Sequence, residues 1–235
     1  MDLAHRALFA QKGLLKLPAF HSRAHLAGLR ASVLDELKRH SDRAGMSKSL
    51  RKLPIFQQVT RLSSLAKVPR AHEVLLTPQL RQVIGHLAGQ SPSSFQETQL
   101  LLSPANQGAW TFAGLNWHVD VHADGEDPMP GIQAFFLIDD VVSHGGATLA
   151  LAGSHRLRRA GTSSLSGLRD VLKSHVDLES RLREIGLTVV EMSGQAGDVY
   201  LMDMRTLHTP SINDSRNMRM MATCRCLLDS SARGT

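Results

Sequence analysis

The hexapeptide W-H-V-D-V-H, residues 117–122, places three metal-binding side chains at alternate positions. In an extended segment His118, Asp120 and His122 all face one way. At ~3.3 Å per residue, the Cα atoms of His118 and Asp120 lie ~6.6 Å apart, and those of His118 and His122 ~13 Å apart. Ligands bound at about 2.0–2.2 Å from one ion have donor atoms only about 3 Å from each other. A histidine and an aspartate at this spacing can converge on one metal from a strand end, whereas two histidines four residues apart on a straight strand cannot. The alternatives are a polar strand face or a His118–Asp120 ligand pair, with His122 joining only if the strand breaks sharply.

A two-histidine, one-carboxylate site leaves several metal positions open and needs another histidine from a distant strand. His144 sits in the turn S-H-G-G and His175 on a helical pattern, both solvated positions, while His155 in A-G-S-H-R suits a structural hydrogen bond. His208 follows the run D-V-Y-L-M-D and precedes Pro210, a strand-exit position that can face a barrel mouth. Eleven residues on, Arg219 opens the last apolar run. An arginine inside a barrel is costly to desolvate without an anion, and its planar fork suits a carboxylate. A dicarboxylate chelating a metal at one end and meeting Arg219 at the other satisfies both groups; the alternative for Arg219 is a surface position on its strand.

These residues need a scaffold, and the chain supplies one in two textures. G-L-L-K-L-P-A-F (13–20) reads as a strand, followed by a helix from Ser22 to His40 with Leu26, Leu29, Val33, Leu34 and Leu37 at helical spacing. Residues 41–52 read as a polar loop, and a second helix covers Thr77–Leu87 with Leu80, Val83, Ile84 and Leu87 on one side. Each helix has a single apolar stripe and so should pack on a sheet. From Phe95 onward short β-like runs at 95–102, 115–120, 132–138, 147–152, 187–192, 198–203 and 218–227 alternate with Gly-, Asn- and Asp-rich turns. The expectation is a mainly β fold with buttressing helices: one domain over 1–235, with N-terminal support at 1–94, a barrel or sandwich core at 95–229 and a helical insertion at 157–186.

With 235 residues, 42% hydrophobic and 20% charged, the chain has the composition of an ordinary globular protein with a sizeable core. No run approaches the ~18 apolar residues of a membrane helix, and charges interrupt the N-terminus too early for a secretory signal. Cys224 and Cys226, two residues apart on one strand, should share a face without forming a disulfide, which fits a reduced, cytoplasmic setting. The net charge of +6 is scattered, so it does not favour nucleic acid over a solvated surface or an acidic small substrate. Arg51, Lys52, Arg61, Lys67, Arg156, Arg158 and Arg159 lie in segments expected to cover the barrel mouth (41–75, 121–131 and 157–186).

The pattern W-H-V-D followed by H-T-P-S-I-N-D-S-R-N-M-R resembles the phytanoyl-CoA dioxygenase family of iron(II)- and 2-oxoglutarate-dependent oxygenases. The resemblance extends through L-F-A-Q-K-G-L-L-K-L-P-A-F, F-F-L-I-D-D-V-V-S-H-G-G-A-T-L-A-L-A-G-S-H-R and G-Q-A-G-D-V-Y-L-M-D-M-R-T-L-H, and so covers nearly the whole chain. It implies a double-stranded β-helix, the jelly-roll or cupin-like core, in which His118, Asp120 and His208 bind Fe(II). It further implies Arg219 on the distal carboxylate of 2-oxoglutarate, with Phe135 and Gln99 facing the same cavity. The family often has a serine two residues after the last histidine; here Pro210 stands there, and Thr209 and Ser211 flank it as candidate hydroxyl donors. The implied reaction is O2-dependent hydroxylation of an unactivated C–H bond in a small-molecule, acidic or amino-acid-like substrate, with release of succinate and CO2. Desaturation, epimerisation or cyclisation are alternatives, as is a non-catalytic cupin-like barrel that binds a metal or small ligand. Asp120 argues against the halogenase variant, which has a small residue at this position. A monomer or homodimer without membrane partners is expected.

Overall fold

The computed structural model describes residues 3–41, 50–121, 127–157, 165–173 and 177–229. Helices α1 (Leu3–Lys12), α2 (Arg23–Ser41), α3 (Ile55–Leu65), α4 (Ala71–Leu75) and α5 (Pro78–Ala88) precede or flank most of the sheet structure, and α6 (Leu165–Lys173) and α7 (Leu178–Glu184) lie between strands. The strands are β1 (Leu14–Leu17), β2 (Ser94–Phe95), β3 (Gln99–Ser103), β4 (Gly131–Leu137), β5 (Thr148–Ala152), β6 (Thr188–Glu191), β7 (Val199–Asp203), β8 (His208–Pro210) and β9 (Arg219–Leu227). Helix α5 shows how local sequence sets its bounds. The Thr77 side chain caps the Leu80 amide, Pro78 occupies the first turn, and Gly89 ends the helix at φ 74°. Its buried Leu80, Ile84 and Leu87 form the stripe that the sequence predicts.

All strand pairs are antiparallel, in two sheets. The larger runs β1-β7-β4-β9-β2, with β3 also on β9, and the smaller runs β6-β5-β8. Phe135, Tyr200 and Met221 from the larger sheet meet Ala150 and Met192 from the smaller side in an inner core. Two outer cores flank it. Helices α2, α3 and α5 bury Leu29, Val33, Leu62, Leu80 and Ile84 against the outer face of the larger sheet, including Ala222, Cys224 and Cys226 of β9. Helices α6 and α7 bury Leu168, Leu178 and Leu182 against Leu151 and Leu207 on the outer side of the smaller sheet. This is the double-stranded β-helix with buttressing helices. The strand period of two decides what reaches the interior: along β9 the even-numbered residues face the helices, so Arg219, Met221, Thr223 and Arg225 face inward.

Gly197 shows how the N-terminal support is tied to the barrel. It has φ 98°, its carbonyl accepts the His21 amide at 3.0 Å, and a Cβ there would run into the His21 carbonyl.

Two expectations need correction. The segment 115–120 is no ladder strand; its only pairing is a single bridge, His118 to His208, with amide-to-carbonyl distances of 3.0 and 2.9 Å in the two directions. A ladder is short here because β8 itself has three residues and ends at Pro210, which has no N–H to donate. The described part of the insertion 157–186 does not cover the mouth but packs on the smaller sheet's outer face. The mouth is bordered by α3, which lies within the expected 41–75 segment, in a stretch whose helical pattern is masked by its serines, threonine and glutamines. Cys224 and Cys226 are free thiols, both buried on the helix-facing side of β9 as expected.

Candidate active site

Although residues 117–120 form no ladder, they keep the alternation of an extended chain. Trp117 and Val119 pack outward with Leu151 and Leu207, which turns His118 and Asp120 inward. The bridge to β8 then sets the rings of His118 and His208 4.4 Å apart. His118 Nε2 is 3.9 Å from Asp120 Oδ1, and His208 Nε2 is 3.7 Å from Asp120 Oδ2. One ligand atom from each of the three lies within 4.8 Å of the others.

Both imidazoles are oriented for ligation. Nδ1 of His118 donates to the Asn116 carbonyl at 2.9 Å and Nδ1 of His208 to the Thr206 carbonyl at 3.1 Å. Each ring proton is thereby committed and each Nε2 lone pair is left for a metal. Burial, reinforced by the neighbouring His118, pushes the His208 imidazole down to about 4, so it is a neutral donor at neutral pH. Two neutral nitrogens and one carboxylate oxygen on three corners of a small triangle suit a divalent first-row metal with open positions. The triad fits an iron site.

A cavity of about 890 Å³ opens from this triad. At its base is Arg219, 2% exposed, whose Nε and Nη1 have no hydrogen-bond partner within the protein. Burial pushes its guanidinium down to about 9, which still leaves it charged at neutral pH. A buried cation with unused donors calls for an anion, and the cavity lies between it and the triad.

The other residues singled out from the sequence divide. Phe135 lines the cavity with its ring 6.1 Å from that of His208, and Gln99, opposite Thr223 on β9, also lines it. Thr209 and Ser211 do not line it: Thr209 Oγ1 donates to the Pro210 carbonyl and Ser211 Oγ to the Ala147 carbonyl at 2.7 Å. Thr148, opposite Pro210 on β5, brings a hydroxyl-bearing side chain to that wall instead. His155 is buried in a 3-10 turn with Nε2 on the Ala10 carbonyl, a structural role. His144 stacks on Trp110 at 4.2 Å, away from the cavity. Of the mouth cations expected from sequence, Lys67 lines the cavity and Arg156 lines a separate, smaller one. His122, His175, Arg158 and Arg159 lie outside the described residues.

Among the cavity residues not singled out from the sequence are Arg225, Gln133, Thr148 and Phe56. Arg225 sends Nε and Nη2 to Asp120 Oδ2, at 3.0 and 2.9 Å. Its signal was present, since an even offset from Arg219 puts both on one strand face. Phe56 stands at the rim, 47% exposed, with its ring 6.3 Å from that of His118, and no sequence pattern marks it.

The phytanoyl-CoA dioxygenase (PhyH) family profile matches residues 9–221. The chain belongs to this family. It is thus an enzyme of the iron- and 2-oxoglutarate-dependent oxygenase group, with Fe(II), 2-oxoglutarate and O2 as its reagents. Its fold is similar to that of AviO1 from Streptomyces viridochromogenes Tue57, with a TM-score of 0.64 at 18% identity over 99% of this chain and 96% of that one. EctD from S. alaskensis, solved with 2-oxoglutarate and 5-hydroxyectoine, gives 0.65 at 19% identity over 97% and 76%. SnoK, a non-heme alpha ketoglutarate dependent carbocyclase from nogalamycin biosynthesis, gives 0.60 at 19% over 96% and 83%. No curated protein matches the chain by sequence. Among the described residues no helix is long and apolar enough to cross a membrane.

Proposed function

We propose that this PhyH-family enzyme hydroxylates an unactivated C–H bond of a small molecule, with succinate and CO2 released from 2-oxoglutarate. The observation that carries the reading is the pairing of the His118–Asp120–His208 triad with the buried, unpartnered Arg219 across one cavity. Iron bound at the triad would supply the oxidising chemistry, with O2 and 2-oxoglutarate as co-reactants. His118, Asp120 and His208 would hold it, all three side chains lining the cavity that the substrate enters. Arg219 binds the distal carboxylate of 2-oxoglutarate through its free Nε and Nη1, and Thr148 is placed on the wall nearest Pro210 to assist. Phe135 and Leu101, with Met221 packed against them, keep the interior dry, which strengthens the charge pairing at Arg219. The open end beside Phe56 and His118 admits the substrate.

The test is turnover with iron(II), ascorbate and 2-oxoglutarate against a panel of small molecules, with succinate quantified and products weighed by mass spectrometry. Succinate formation with a product gaining one oxygen atom is the expected result. Loss of two hydrogens indicates desaturation or ring closure, and an unchanged mass with altered stereochemistry indicates epimerisation; either keeps the oxygenase and replaces hydroxylation. Absence of succinate together with failure of 2-oxoglutarate to bind the metal-loaded protein overturns the reading in favour of a non-catalytic barrel.

A further inference from the structure

Arg219 has a ligand in the reading above, but the inner face of β9 carries a second arginine that 2-oxoglutarate does not explain. Arg225 is six residues from Arg219, which at ~3.3 Å per residue puts their Cα atoms ~20 Å apart. In the reading above 2-oxoglutarate gives its distal carboxylate to Arg219 and its other carboxylate to the metal, so neither is left for Arg225. Both line the cavity, Arg219 at the start of β9 and Arg225 near its end, where it touches Asp120 of the triad.

Arg225 is also incompletely used. Its Nε and Nη2 share one oxygen of Asp120, while Nη1 has only a 3.4 Å contact with Gln96 Oε1. Once Asp120 serves a metal, a cation beside it works against that metal unless an anion compensates. Within the cavity lining, Arg219, Arg225, Lys67 and a divalent metal stand against Asp120 and the two carboxylates of 2-oxoglutarate. That balance leaves the chamber two charges positive among its described residues.

A second observation comes from the neighbouring strand. Gln133 on β4 is in register with Arg225, lines the same cavity and is 2% exposed. The hydrogen bonds fix which way its amide points. Thr223 Oγ1 donates to the Ala134 carbonyl at 3.0 Å, so it must accept from Gln133 Nε2, also at 3.0 Å. Gln133 Oε1 is then a buried acceptor with no donor among the described residues. Beside a half-used guanidinium there is an acceptor waiting for an N–H or O–H.

We propose that Arg225 and Gln133 form the seat of the primary substrate's acidic end: a carboxylate held by Arg225, with a neighbouring N–H or O–H donated to Gln133 Oε1. This rests on the oxygenase reading and names the substrate class for it, a small acid carrying a hydrogen-bond donor next to its carboxylate. The seat orients the acid end at Asp120 and presents the rest of the molecule along the metal's open side.

Three probes isolate the two contacts: N-acetylglycine, its primary amide, which removes the charge, and N-acetyl-N-methylglycine, which removes the donor. Binding is measured by calorimetry on protein loaded with Ni(II) and 2-oxoglutarate, each loading step titrated first. N-acetylglycine should bind about tenfold tighter than either relative. Arg225→Gln should erase the preference over the amide, Arg225→Lys should retain part of it, and Gln133→Leu should erase the preference over the N-methyl probe. Equal binding of the three probes, no binding by any of them, or a preference that survives Arg225→Gln in well-folded protein overturns the proposal. Failure of Ni(II) or 2-oxoglutarate to load is a separate outcome, which sinks the oxygenase reading instead. Titrating Ni(II) into each Arg225 variant separates a loosened Asp120 from a lost substrate contact.

Discussion

At the scale of single residues, the site divides its charges between groups that hold a metal and groups that hold anions. Arg219 belongs to the second kind, because it is buried with two nitrogens unpartnered and no carboxylate pairs with it among the described residues. Arg219→Ala should therefore raise the Michaelis constant for 2-oxoglutarate by roughly two orders of magnitude, within the range for removing one side of a buried charge pair. Metal affinity should change little, and an unchanged constant removes its assigned role. His118→Ala, Asp120→Ala and His208→Ala should instead abolish metal binding and turnover, since each deletes one corner of the triad. His122→Ala should leave iron affinity nearly intact, because His118, Asp120 and His208 already make up a two-histidine, one-carboxylate set. Thr148→Val is the finer probe: a several-fold higher Michaelis constant for 2-oxoglutarate, with Thr209→Val and Ser211→Ala nearly silent on it, would place the assisting hydroxyl on β5. The sequence showed where hydroxyls stand near Pro210 but could not show that those of Thr209 and Ser211 are spent on carbonyls.

At the scale of elements, β9 joins base to mouth, and its position depends on how β3 beside it is finished. β3 pairs with β9 along one edge, and on the other it is covered by α3. The buried Leu102 amide on that second edge donates to Ser63 Oγ of α3 at 2.9 Å. This one hydroxyl satisfies a backbone donor that has no strand partner and fixes α3 over the mouth, where Phe56 and Lys67 project. Ser63→Ala leaves the amide buried and unsatisfied, and should cost about 1–3 kcal/mol in urea unfolding, while Ser63→Thr should restore most of it. A Ser63→Ala protein as stable as the parent would mean that the edge finds another acceptor. The contact was illegible in sequence, because Ser63 lies in a polar stretch and its partner is 39 positions away.

At the scale of the whole molecule, what the sequence revealed followed from short-range rules. Short β-rich runs between turn signals located most of the strands, the spacing from His208 singled out Arg219, and 3.6-residue spacing located α2 and α5. What it hid was set by long-range packing: α1 and α3 with their thin apolar stripes, the single bridge that stands in for a ligand strand, and the return of Arg225 to Asp120 across 105 positions. The join between N-terminal support and barrel is of the same long-range kind, and it yields a pH-dependent prediction. Asp198, at the start of β7, accepts from the Ala19 amide at 2.8 Å and the Gln195 amide at 3.1 Å, and pairs with Lys16 at 2.8 Å. Burial works against its charge, yet these partners together hold the carboxyl below its usual range. The folded state therefore prefers the ionised form more strongly than the unfolded chain does. The resulting stabilisation is complete above the unfolded carboxylate value near pH ~4 and is lost as pH falls through the lower native value. Asp198→Asn should destabilise the fold at neutral pH by about 1–3 kcal/mol. In urea titrations at successively lower pH that difference should shrink, as the parent protein alone loses the contribution. A difference that stays constant from neutral pH down to about pH 3 would show that the amides, which an asparagine oxygen can still accept from, and not the charge, carry the join.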